Sequence, residues 1–131
     1  MEERYLFGTA VPVLLGGGGL AGKTAMELYV RYGLTVRWLG HGWHPLLAIY
    51  AKRLASLPLT EENSGAVTRH LLAFAKERGR SAGIPVLIPC TPEAESYLAR
   101  AREALEVDFV LLGIPDLTEN PLRGLLRSEE G

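Results

Sequence analysis

Four consecutive glycines, Gly16 to Gly19, stand between a short apolar run and a long helical pattern, and nothing else in the chain restricts its fold as much. The run before them, Val11 to Leu15, is apolar throughout and reads as a buried strand, with Pro12 tolerated near its start. Glycine accepts backbone angles that side chains forbid, so the four together force a tight turn. After the turn, Ala21, Ala25, Leu28, Tyr29 and Tyr32 recur at helical spacing on one face, and Gly33 supplies a C-terminal stop. Leu34 to Trp38 is rich in β-branched and aromatic residues and reads as a second strand.

The same alternation continues. Gly40 to Pro45 is loop-like, and Pro45 to Tyr50 reads as a short helix with proline at its first position. Arg53 to Leu57 is a weak strand. Asn63 or Ser64 caps a helix that turns Val67, Leu71, Phe74 and Ala75 inward. Ile84 to Ile88 is a strand. Thr91 and Pro92 then open a helix with the apolar stripe Ala94, Tyr97, Leu98, Ala101 and Leu105. Asp108 to Leu112 is the last strand. Strands alternating with helices predict right-handed βαβ units. The expected fold is α/β, a Rossmann-like three-layer sandwich with a mainly parallel sheet of about five strands. One domain, 1–115, is expected, followed by a polar tail or linker stub, 116–131.

The glycine turn satisfies two phosphate-binding templates at once. Gly17, Gly22, Lys23 and Thr24 fit G-x-x-x-x-G-K-S/T, and Gly17, Gly19 and Gly22 fit G-x-G-x-x-G. Both rely on bare amides at a helix N-terminus facing an anion. A phosphate loop also wants an acid at the end of an apolar strand to hold Mg²⁺. The later strands end in Ile88-Pro-Cys90 and Leu112-Gly-Ile114, with Asp116 only beyond a proline. A dinucleotide site wants an acid about 20 residues on. The second strand instead leads to His41, and only His41 or Arg37 stands near to meet a 2′-phosphate. The plainest reading is a turn that permits close helix–sheet packing, with Lys23 exposed and Thr24 on the helix surface.

Other residues carry less. His41 and His44 lack a third metal ligand at suitable spacing. His70 lies among polar residues and reads as surface. Cys90 is the lone cysteine, so it forms no internal disulfide, and a buried structural thiol is expected. Trp38 and Trp43 read as packing residues rather than stacking platforms. A net charge of −1 gives no electrostatic footprint for nucleic acid, and no apolar run approaches the ~20 residues that span a bilayer. With no signal-like pattern in Met1 to Phe7, a cytoplasmic chain is expected.

The order of these features resembles the pre-ATP-grasp N-terminal domain of ATP-grasp carboxylate–amine ligases. The resemblance rests on the apolar strand leading into Gly16 to Thr24, the strand Leu34 to Trp38, the segment ending at Pro58, and Leu87-Ile-Pro-Cys-Thr-Pro-Glu93 before a helix. It covers roughly Val11 to Pro115. Pro92 stands near the place of the family's acid in that last motif. The resemblance implies a substrate-side domain that is not catalytic alone, since the half binding ATP and Mg²⁺ lies outside these residues. No cofactor is then expected on this chain by itself, and ATP and Mg²⁺ belong to the complete ligase. The implied partner is an ATP-grasp catalytic domain or subunit. The implied substrate edge comprises Gly16 to Gly22, Gly40 to Pro45 and Pro89 to Pro92. Gly17, Gly18 and Leu20 would serve there as backbone donors and Thr91 as a hydroxyl contact. Two other readings stay open: a small nucleotide-binding protein using Gly17 to Thr24, and a structural module that forms a homodimer.

Overall fold

The computed structural model describes residues 10–78 and 83–115. The expected tail, 116–131, and Asp116 lie outside the described residues, as do Met1 to Phe7. Strand β1 (Ala10–Leu15) leads into helix α1 (Gly19–Tyr32), strand β2 (Val36–Leu39), helix α2 (Pro45–Tyr50) and strand β3 (Ala51–Ala55). A 3₁₀ turn (Glu61–Asn63) then opens helix α3 (Ser64–Arg78). Strand β4 (Ile84–Pro89), helix α4 (Pro92–Leu105) and strand β5 (Val110–Leu111) complete the order. The five strands lie in the order β3-β2-β1-β4-β5, and every neighbouring pair is parallel. The Rossmann-like α/β sandwich expected from the alternation is therefore present.

β1 is central, and all six of its residues are buried. A strand covered on both faces reads as a continuous apolar run, which is why Ala10–Leu15 shows no alternation. Its side chains still alternate between two cores. Ala10 and Leu14 join Val36, Trp38, Val86 and Ile88 beneath Ala21, Ala25 and Leu28 of α1 and Leu47 of α2. Val11, Val13 and Leu15 join Leu39 and Leu87 against Val67, Leu71 and Phe74 of α3 and Tyr97, Leu98 and Leu105 of α4. The first two helices thus cover one face, and the last two cover the other.

Several boundaries differ from expectation. β2 begins at Val36 rather than Leu34, because Gly33 (φ 67°) ends α1 in the left-handed region and Leu34 N–H donates back to the Leu28 carbonyl at 3.3 Å. β3 runs over Ala51–Ala55 rather than 53–57, because α2 passes directly into it and its register with β2 begins at Val36 opposite Ala51. β5 has two paired residues, and Leu112 N–H continues the ladder to the Leu87 carbonyl at 3.0 Å. Tyr29 was expected on the buried face of α1 but is 54% exposed. Its ring lies instead against Tyr50 of α2, with centroids 5.5 Å apart.

The α3–α4 face holds a hydrogen-bonded pair, Thr68 and Tyr97, that hydropathy does not reveal. Thr68 Oγ1 donates to the Ser64 carbonyl at 2.9 Å and lies 2.7 Å from Tyr97 Oη. With the threonine proton spent on Ser64, the tyrosine is the donor of the second bond. Burial pushes the Tyr97 hydroxyl pKa up, with the Arg100 charge opposing it. Replacing Tyr97 with Phe is expected to cost about 0.5–1.5 kcal/mol, the net worth of one such bond. Urea unfolding checks this: the midpoint should fall while the slope stays unchanged.

Candidate functional site

The carboxyl ends of the parallel strands form one edge, and hydrogen bonds carry the ladder past the last strand residues. Cys90 N–H donates to the Leu15 carbonyl at 2.9 Å, and Gly16 N–H to the Leu39 carbonyl at 2.9 Å. Gly40 N–H donates to the Ala55 carbonyl at 3.2 Å. The chain leaves β1 toward α1 on one face and leaves β4 toward α4 on the other. The strand order therefore switches direction between β1 and β4, and open α/β sheets bind ligands in the crevice at such a point.

Glycine is required on this edge for space. A Cβ on Gly16 would stand 2.8 Å from Thr91 Cγ2, and Gly16 also has φ 95°. A Cβ on Gly17 would stand 2.9 Å from the His41 carbonyl oxygen. One on Gly40 would stand 2.9 Å from the Gly16 carbonyl carbon. On Gly22 it would stand 2.5 Å from His44 Nδ1. Gly18 (φ 93°) and Gly19 have nothing within 4 Å of that position and face open space.

The turn between β1 and α1 is only Gly16 to Gly18, and Gly19, Gly22, Lys23 and Thr24 are already helical. The first helical bond within α1 runs from Gly22 N–H to the Gly18 carbonyl at 3.0 Å. The amides of Gly17, Gly18, Gly19 and Leu20 have no partner among the described residues and belong to exposed or half-buried residues, whereas Ala21 is fully buried. Gly18 caps the helix without a side chain, and its first turn holds no acid. Those amides and the helix dipole together favour an anion.

Thr91 faces this turn across the switch point. Its Oγ1 accepts from Ala94 N–H at 3.1 Å, capping α4 as the Thr-Pro pair predicts. Its own proton has no partner among the described residues and is available to a ligand oxygen. Lys23 is exposed on the first turn of α1. Thr24 corrects the expectation of a helix-surface residue. It is fully buried, and its hydroxyl donates to the Leu20 carbonyl at 2.7 Å. The side chain therefore lies in the α1 core rather than on the open edge.

The loop after β2 is more tightly built than its sequence shows. His41 is exposed, and its carbonyl sits against Gly17. His44 caps α2, its Nδ1 accepting from Leu46 N–H at 3.2 Å. Arg53 of β3 donates to the Gly42 carbonyl and lays its guanidinium 4.3 Å from the Trp38 ring centre. Trp38 is buried as expected, whereas Trp43 is 67% exposed and corrects the expectation of a packing residue. The physical reason is position: Gly42 and His44 are both fixed to neighbouring elements, and the residue between them has no core to enter.

Cys90 is buried behind the site, with its thiol donating to the Ile88 carbonyl at 3.7 Å. Burial pushes its pKa up to about 12, against a smaller opposing effect of the Thr24 hydroxyl. The thiol is thus kept protonated and is no nucleophile at neutral pH. Among the described residues no three His, Cys, Asp or Glu side chains gather as a metal-holding group.

Two substitutions of the same chemical kind are expected to act in opposite directions. Gly22→Ala should destabilise by about 1–3 kcal/mol, because overpacking against His44 outweighs the helix-propensity gain of up to about 1 kcal/mol. Gly19→Ala, which meets no neighbour, should be neutral or stabilising by up to about 1 kcal/mol. Thermal and urea unfolding of the pair separates the two effects. Cys90 gives a pH test. Its folded pKa lies above the unfolded value, so its contribution to stability is complete below pH 9.0 and is lost as pH rises toward 12. Wild type should therefore lose stability over that interval relative to Cys90→Ala. Iodoacetamide at pH 8 should modify Cys90 only after unfolding. The chain matches no protein-family model and no curated protein, so the functional reading rests on the geometry of this edge.

Proposed function

We propose that this domain binds the anionic group of a small substrate at the carboxyl edge of its sheet, as the substrate-side domain of an ATP-grasp-like carboxylate–amine ligase. The observation that carries the reading is the convergence at the switch point. The amides of Gly17, Gly18, Gly19 and Leu20, without a partner among the described residues, stand at the N-terminus of α1, with the Thr91 hydroxyl proton across from them. A carboxylate or phosphate can accept from donors of this set and meets no acidic side chain in the first turn of α1. The element order supports the ligase assignment, since a strand, a glycine turn, a helix and a Thr-capped helix after β4 stand in the sequence that the resemblance implies.

The described residues offer Mg²⁺ no cluster of carboxylates. What this chain's own groups do is bind and orient. Amides at the start of a helix packed into the core hold the anion with little reorganisation, and Thr91 adds a donor. In the complete ligase a catalytic domain supplies ATP and Mg²⁺ and carries out the bond-making chemistry. Burial of Thr24 and the three-residue turn favour this reading over a loop wrapped around a triphosphate, which needs residues 17–22 outside the helix.

Calorimetric titration with acetate, inorganic phosphate and Mg·ATP tests it. The expected outcome is binding of the simple anions, retained in Lys23→Ala and lost in Gly19→Asp. Gly19→Asp places a carboxylate at the helix N-terminus, where it repels the anion while stabilising the helix by about 0.3–1 kcal/mol. Loss of binding with unchanged or higher stability therefore assigns the site. Tight Mg·ATP binding abolished by Lys23→Ala would instead establish a nucleotide-binding protein.

A further inference from the structure

α1 and α2 carry an apolar strip on the side turned away from the sheet. Tyr29 is 54% exposed, Val30 70% and Ile49 68%. Their placement follows from the packing of the two helices. A Cβ on Gly22 would meet His44 and Leu46, so the Gly22 side of α1 looks at α2. Met26 and Val30 follow Gly22 at four-residue steps, and each step turns the row about 40° further from the buried Ala21, Ala25 and Leu28. Val30 therefore stands on the outer crest of α1, on its α2 side. In α2, Leu47 is buried in the core and Tyr50 lies against Tyr29, which leaves Ile49 on the outside. Glu27 and Arg31 border the strip on α1 and are paired at 3.0 Å.

Two features say what covers this strip. Its charges are self-complementary: Glu27 and Arg31 have opposite signs on one helix face. A second α1 laid antiparallel, with a two-fold axis at the level of Tyr29, sets each Glu27 opposite the partner's Arg31, as an isologous contact requires. The other feature is place. Val30 lies about 16 Å along α1 from Gly19, well away from the carboxyl edge of the sheet. A copy seated here leaves both edges open, whereas a catalytic domain closing on a substrate has to meet the edge itself. Two helices abreast present a face of about 20 by 20 Å in projection, against roughly 800 Å² that a standard interface takes from each partner. The contact is therefore small and reversible.

We propose that the outer face of α1 and α2 docks a second copy of this chain, α1 antiparallel to α1, with Val30 near the centre and Glu27 facing the partner's Arg31. This does not depend on the anion-binding reading.

Sedimentation equilibrium of the full chain tests it. Wild type should form a reversible dimer with a Kd of about 1–100 μM. Val30→Glu should weaken association at least about ten-fold, since it buries an unpaired charge. Val107→Glu, at an equally exposed valine in the turn between α4 and β5, should leave it unchanged. Glu27→Arg and Arg31→Glu should each weaken self-association about ten-fold, because each sets like charges opposite one another. Mixing these two variants should restore a dimer made of one copy of each, because each then presents a single sign to the other.

A chain that stays monomeric up to about 1 mM overturns the proposal. A dimer that Val30→Glu leaves intact overturns it too, by placing the contact elsewhere. Charge variants that fail to pair on mixing overturn the antiparallel arrangement. A dimer that passes these tests but binds no anion supports this inference and overturns only the anion-binding reading.

Discussion

The close approach of three backbone segments at the carboxyl ends of β1, β2 and β4 is the constraint on which the rest of this structure depends. The loops after these strands are joined by hydrogen bonds that extend the sheet by one residue each, from Cys90 to Leu15, from Gly16 to Leu39 and from Gly40 to Ala55. Such bonds bring Gly16 within reach of both Gly40 and Thr91, at distances where any Cβ would collide with backbone or with a short, capped side chain. The glycines here do two different jobs. Gly16, Gly17, Gly22 and Gly40 are small because something is packed against them, whereas Gly18 combines positive φ with open space. The first group builds the edge, and the second leaves it open.

The two cores hold that edge in place from below. Because side chains alternate along a strand, β1 feeds Leu14 to the α1–α2 face and Val13 and Leu15 to the α3–α4 face. Each helix that starts at the site is anchored by a buried stripe that begins in its first turn, at Ala21 in α1 and Ala94 in α4. Thr24 shows how closely the two regions are coupled. One turn into α1, it is fully buried and bonded to Leu20, beside the Cys90 thiol that follows β4. The helix that carries the open amides is thus tied into the same core as the strand facing them. A site built this way is rigid, which suits binding and orientation.

Much of this was legible in the residues. The strand–turn–helix at Val11 to Tyr32 followed from an apolar run, glycines and helical spacing, and the Thr91-Pro92 start of α4 followed from capping chemistry. These are local signals, decided within a few residues. The loop from Gly40 to His44 was legible only as a loop. Its ties come from Gly17, Gly22 and Arg53, which no local pattern links to it. Trp43 was misread for that reason, since composition assigns a tryptophan to the core and only the ties on either side keep it out. Thr24 was misread because its polarity predicts surface, while the bond to Leu20 satisfies its hydroxyl inside the helix. Tyr29 had the right spacing for burial, yet α2 supplies Tyr50 as a partner at the surface.

Local pattern in the residues was enough for the class of fold, the alternation of strands and helices, most of the core, and the glycine turn with its helix start. It did so because hydrophobic period, proline position and glycine freedom act over short range. Only the assembled fold sets Gly16 against Thr91, leaves the Gly17 to Leu20 amides without a partner among the described residues, and keeps Trp43 exposed. Those facts depend on which strand lies next to which, and strand order is set by crossovers and register between residues far apart in the chain.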